Sequence, residues 1–115
     1  MSAAPAEEAP RYCVIGAGAA GLATVRELRD RGLAFDCFEQ TDRVGGHWHT
    51  DYESLHLITD RDSSGFTGYP MPADYPTYPS RDQVAAYLVD FARSNDLLDL
   101  ITFDTAVEHL SLIHI

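Results

Sequence analysis

Apolar positions along the chain change period several times. Arg11-Tyr-Cys-Val-Ile15 is a short run that ends at glycine, the pattern of a buried strand. Over 19–31 the spacing becomes helical, with Leu22, Val25, Arg26 and Leu28 in register and Gly32 just past the last turn. Ala34-Phe-Asp-Cys-Phe-Glu39 returns to a strand. Strand, glycine turn, helix and strand within about thirty residues make one βαβ unit.

Residues 40–79 are rich in glycine and hold four of the six prolines. One short strand is expected at 52–59. A stretch this long and irregular is unusual in a small domain unless it wraps a ligand. Tyr69, Tyr75 and Tyr78 stand among the prolines and are expected to pack the loop against the domain. Ser80 then opens a second helix, with Gln83 three residues on as in a capping box. Val84, Tyr87, Leu88 and Phe91 form its buried stripe, and Asn95 or Asp96 ends it. Residues 101–107 read as a third strand. The fold class is therefore α/β, a partial Rossmann-like domain with a doubly wound parallel sheet.

The turn after the first strand, Gly16-Ala-Gly18-Ala-Ala-Gly21, fits G-x-G-x-x-G. The first glycine permits the tight turn, the second lets backbone approach a pyrophosphate, and the third lets helix and sheet pack closely. Phosphates then meet the free N–H groups at the helix N-terminus. Glu39 ends the next strand, where a carboxylate accepts hydrogen bonds from ribose hydroxyls. These features identify an ADP-bearing dinucleotide without choosing between NAD and FAD.

The residues that follow do choose. Glu39-Gln-Thr-Asp-Arg-Val-Gly-Gly-His-Trp48 resembles the acid-to-double-glycine stretch of two-dinucleotide flavoproteins, and the tryptophan two places on resembles flavin-containing monooxygenases and their Baeyer–Villiger relatives. Tyr52-Glu-Ser-Leu55, Pro70-Met-Pro72, Tyr75-Pro76, Tyr78-Pro-Ser-Arg81, Tyr87-Leu88 and Ile101-Thr-Phe-Asp-Thr-Ala-Val107 follow that family's pattern in order. The resemblance covers 12–107 and implies an FAD-binding domain.

Carried over by position, it implies cofactor contacts from Gly16, Ala17, Gly18, Ala19, Ala20 and Gly21, from Glu39 and Gln40, and from Gly46, His47 and Trp48. Val107 takes the place where a strand backbone meets the adenine, and Thr59 lies in the segment passing the flavin ring. Many family members carry asparagine one residue earlier, where this chain has Ile58. The implied reaction uses NADPH, FAD and O2 to insert one oxygen into a small organic substrate, at nitrogen, at sulfur or beside a ketone. The alternatives are another two-dinucleotide flavoprotein, such as an N-hydroxylase or a reductase, and a non-catalytic dinucleotide-binding module. No Cys-x-x-x-x-Cys follows the first helix, as a disulfide reductase would need.

Net charge is −10, with eight arginines and no lysine, which argues against nucleic acid and anionic membrane as partners. No apolar run approaches a membrane span. Residues 1–10 carry neither a basic nor an apolar leader segment and are expected to be a disordered tail ahead of a cytoplasmic domain. Cys13 and Cys37 fall inside predicted strands as buried free thiols. His47 and His49 lack further ligands at metal spacing, so no metal is expected. His56 reads as a packed or half-exposed histidine, and Asp60-Arg-Asp62 as a solvated turn. No catalytic residue is assigned.

The resemblance stops near Glu108, so 11–109 is read as the N-terminal part of the FAD-binding domain. Leu110-Ser-Leu-Ile-His-Ile115 equals the translation of CTG TCT CTT ATA CAC ATC, a transposon mosaic end used as a sequencing adapter. Residues 110–115 are therefore expected to be adapter-derived, with a natural terminal strand as the alternative. A second G-x-G-x-x-G, for NADPH, is absent from the chain. The parent protein is expected to be an enzyme and this polypeptide alone to be inactive.

Overall fold

Three parallel strands in the order β1-β2-β3 carry the fold: β1 is Arg11–Ile15, β2 Ala34–Phe38 and β3 Ile101–Thr102. The structure, a computed structural model, describes residues 11–109, so the expectations for 1–10 and 110–115 lie outside the described residues. Helix α1 (Ala19–Asp30) links β1 to β2, α2 (Arg61–Ser64) is a single turn, and α3 (Arg81–Ser94) precedes β3. The register sets Val14 beside Cys37, and Cys37 beside Ile101. These three residues share one core cluster with Leu22, Val25 and Leu28 of α1 and Val84, Tyr87, Leu88 and Phe91 of α3. Both predicted helical stripes are thus buried, except Arg26. Its guanidinium lies 4.8 Å over the Phe91 ring and donates to the Thr67 carbonyl at 2.9 Å.

Both long helices stop on a left-handed residue. Gly32 (φ 67°) ends α1, and the Leu33 amide reaches back to Leu28 O at 3.0 Å. Asp96 (φ 57°) does the same for α3, with Leu97 N to Ala92 O at 2.9 Å. At the start of α3, Ser80 Oγ accepts from the Gln83 amide and Gln83 Oε1 accepts from the Ser80 amide at 2.9 Å. Replacing Ser80 by alanine leaves the Gln83 amide without its acceptor, and a stability loss of about 1 kcal/mol in urea denaturation is expected.

Several expectations need correction. β1 is not a buried strand: only Val14 is buried, and Ile15 is 54% exposed. Strand alternation puts Cys13, Ile15 and Asp36 on the sheet face away from the helices, where all three are exposed and Asp36 is paired with Arg11 at 2.9 Å. Cys13 is therefore exposed, whereas Cys37 is buried. Burial first, and the charge of Glu39 second, push the Cys37 thiol up to about 11, which leaves it without thiolate character.

β3 spans two residues, because Asp104 turns left-handed (φ 53°) and diverts the ladder. Asp104 N and Thr105 N bond instead to Thr41 O and Glu39 O, at 2.9 and 3.0 Å. Residues 52–59 form no strand. They carry one isolated antiparallel bridge, from His56 to Ser80, and His56 is exposed.

Asp60-Arg-Asp62 is more than a solvated turn. Asp60 caps α2 through the Ser63 amide at 2.8 Å, and Arg61 Nη1 donates at 2.7 Å to the carbonyls of Ala73 and Tyr75. That guanidinium pins the proline segment, while Tyr69 and Tyr75 pack on the core and Tyr78 stays exposed.

Candidate functional site

The G-x-G-x-x-G turn and the double-glycine turn meet at the C-terminal end of β1. A Cβ on Gly21 would lie 1.9 Å from the Gly16 carbonyl oxygen, so the third glycine is fixed by contact between α1 and the turn. Gly16 itself has φ 98°. Gly18 caps α1 without any side-chain hydrogen bond, and the first turn carries no acidic residue. The first-turn N–H groups therefore have no acceptor within the helix and face the turn ahead of it.

The second turn is held against the first. The Gly45 amide donates to Ala17 O at 2.9 Å. A Cβ on Gly46 would lie 3.5 Å from the Gly18 Cα, so two bare backbones pass each other. Gly45 (φ 118°) rests on the His49 ring, whose Nε2 lies 2.5 Å from Val44 O. Residues Gly46–His49 then wind into a 3-10 turn that carries His47 and Trp48.

Together these parts enclose a cleft of about 330 Å³. Of the residues picked from the sequence, Gly16, Gly18, Ala19, Ala20, Gly21, His47 and Trp48 line it, and Ile15 and Gly45 join them. The remaining predicted residues do not line it. Ala17 is fully buried, with its amide bonded to Glu39 and its carbonyl to Gly45. Gly46 is not in the lining but passes close to Gly18, which is. Gln40 is exposed next to Glu39. Thr59 is exposed, with its hydroxyl 2.5 Å from that of Ser64. Val107 is half-buried beyond the end of β3.

Glu39 is the buried charge at the centre of this arrangement, 5% exposed. Oε1 accepts from the Ala17 amide at 2.7 Å, and Oε2 from the Thr41 amide and hydroxyl at 2.9 and 2.7 Å. Burial by itself would raise its pKa. The bonds from Thr41 and Ala17 outweigh that and hold the carboxyl below the ordinary glutamate value. A carboxylate has about four lone-pair sites, so one on Oε1 is left for an incoming donor. Thr41 and Gly45 were not picked out from the sequence. The signal for Thr41 is a hydroxyl two residues past a buried acid, and for Gly45 its place in the double glycine.

His47 and His49 turn to different partners, Asp51 and Val44 O. Among the described residues no group of three or more histidine, cysteine or acidic side chains is arranged to hold a metal. Nor is any described helix long and apolar enough to cross a membrane.

Residues 9–113 match the family model for flavin-binding monooxygenase-like proteins. The chain belongs to this family. It is 33% identical over 111 residues to flavin-containing monooxygenase 3 of Rattus norvegicus, covering 88% of this chain and 21% of that protein. The flavin-containing monooxygenase of Stenotrophomonas maltophilia superposes with a TM-score of 0.80 at 32% identity, over 90% of this chain and 31% of that one. S-allyl-L-cysteine S-oxygenase of Allium sativum superposes at 0.79 and 28%, over 90% and 29%. The α/β Rossmann-type assignment agrees with these neighbours. The chain thus spans about a fifth of the length of the curated relative it matches.

Proposed function

We propose that this chain is the FAD-binding N-terminal part of a monooxygenase that uses NADPH and O2 to place one oxygen on a small organic substrate, at nitrogen, at sulfur or beside a ketone carbonyl. The observation that carries this reading is the bare-backbone floor made where Gly46 passes Gly18. A pyrophosphate needs such a floor in order to approach the first-turn amides of α1, and any side chain there would occupy its place. Family membership and the likeness to an S-oxygenase support the oxygenation chemistry.

In this reading the amides of Gly18, Ala19 and Ala20 bind the diphosphate. The free lone pair of Glu39 takes a ribose hydroxyl, Gln40 lies beside it, and the Val107 backbone borders the adenine. Trp48 and Ile15 wall the cleft and exclude water, and Thr59 belongs to the segment nearest the flavin ring. When bound, the flavin supplies the redox chemistry, accepting electrons from NADPH and activating O2.

The single G-x-G-x-x-G provides for one dinucleotide, which this reading assigns to FAD. The test is to read the source DNA through the codons of residues 109–115 and express the full-length protein. It is expected to purify with FAD and to consume NADPH and O2 with substrate, while the 115-residue polypeptide supplied with FAD oxidises no NADPH. A full-length protein without flavin, or one that passes electrons without consuming O2, would overturn the monooxygenase reading.

A further inference from the structure

A dinucleotide brings two negative charges into the cleft, and its walls offer one side chain able to meet them. His47 is the sole ionisable residue among those lining it; the rest are glycine, alanine, isoleucine and tryptophan. The 3-10 turn fixes its orientation. The Thr50 and Asp51 amides both donate to the His47 carbonyl, at 3.0 and 2.8 Å, which folds the Asp51 side chain back under the imidazole. Asp51 Oδ2 lies 2.8 Å from His47 Nδ1. A carboxylate only accepts, so Nδ1 carries the hydrogen and Nε2 is the nitrogen left for a ligand. Asp51 is itself anchored from α3, where Arg81 Nη1 donates to its carbonyl at 2.5 Å.

From this geometry we infer that His47, oriented by Asp51, is the cationic partner of the bound diphosphate. The inference rests on the dinucleotide reading of the cleft. Neutral Nε2 presents a lone pair, which an anionic phosphate oxygen repels. To hold that oxygen, Nε2 must carry a proton, which it donates in a charge-assisted hydrogen bond. The Nδ1–H to Asp51 bond stabilises the resulting imidazolium.

The other charged groups around the pair are already engaged. Arg81, from α3, is bonded to the Asp51 carbonyl and paired with Asp82. Glu39, behind the glycine turn, is bonded to Ala17 and Thr41. His49 faces Val44 O. The net charge of −10 makes a local cation more necessary for an anionic ligand.

The test uses the full-length protein stripped of flavin, with ADP, adenosine and FAD as probes. His47→Gln is expected to weaken ADP and FAD about tenfold and leave adenosine unchanged. His47→Lys should restore most of the loss, and Asp51→Asn should fall between. Calorimetry of ADP binding in buffers of different ionisation enthalpy, at mildly alkaline pH, should show net proton uptake that His47→Gln abolishes. An equal loss for adenosine, or no proton uptake by the wild type, overturns the inference. If ADP and FAD bind the wild type and His47→Gln alike, the inference falls and the dinucleotide reading stands. If neither binds the wild type, both fall together.

Discussion

Gly21→Ala is expected to destabilise the protein by about 3 kcal/mol or more. The added Cβ would lie 1.9 Å from the Gly16 carbonyl oxygen and 2.9 Å from its carbon, and both are backbone atoms. No side-chain rotamer relieves such a contact, so the turn between β1 and α1 must move. That movement reaches the Gly16 amide, bonded to Phe38 O at 2.8 Å, and through it the parallel pairing of β1 with β2. Gly18→Ala separates folding from binding. Its Cβ would meet only the Gly46 Cα, at 3.9 Å, and its φ of −80° suits any residue. The stability cost should stay under about 1 kcal/mol, yet the methyl stands where the diphosphate is proposed to approach. Denaturation should therefore single out Gly21→Ala. Flavin binding, followed by fluorescence, should fail in Gly18→Ala while that protein remains folded. Equal stability of the two variants would refute the division of roles.

The parts legible in the sequence are those set by local rules. The glycine turn, the two helical stripes, the capping box of Ser80 and Gln83, and the stops at Gly32 and Asp96 each need only near neighbours in the chain. Where sequence reasoning failed, the deciding contact is distant. Cys13 and Ile15 have the apolar character of a covered strand, but cover depends on a layer that the described residues do not supply. The third strand looks seven residues long by composition. It ends after two because Asp104 takes a left-handed turn toward Thr41. Arg61 reads as one charge in a polar run, and nothing local shows that it binds carbonyls 12 and 14 residues away. The dinucleotide cleft falls between these cases: its glycines are legible one by one, whereas the grip of Glu39 on Ala17 and Thr41 is not.

That grip should make Glu39→Ala the second severe substitution. It removes the acceptor for the Ala17 amide, which is fully buried, and for the Thr41 amide, while the Thr41 hydroxyl keeps the Arg43 carbonyl. A buried donor left unmatched costs about 1–3 kcal/mol, and bonds to a charged acceptor are the stronger kind, so a loss of about 3 kcal/mol is expected. Glu39→Gln keeps one carbonyl acceptor for Ala17 but turns an amide N–H toward the Thr41 N–H, and should lose about 1–2 kcal/mol.

The pH dependence follows from the direction of the shift. Glu39 is held below the ordinary 4.5 because burial, which opposes ionisation, is outweighed by the bonds from Thr41 and Ala17. The unfolded chain therefore takes up its proton at higher pH than the folded one. Its contribution is complete above about pH 4.5 and is lost as pH falls through the lower folded value. Asp36 and Asp60 are shifted the same way by their own partners, and they remain in both proteins, so their effects cancel in the comparison. The stability gap between wild type and Glu39→Gln, measured by urea denaturation, should be constant near neutrality and narrow below that point. A gap independent of pH across the acid range would show that the Glu39 carboxylate does not secure the turn by its charge.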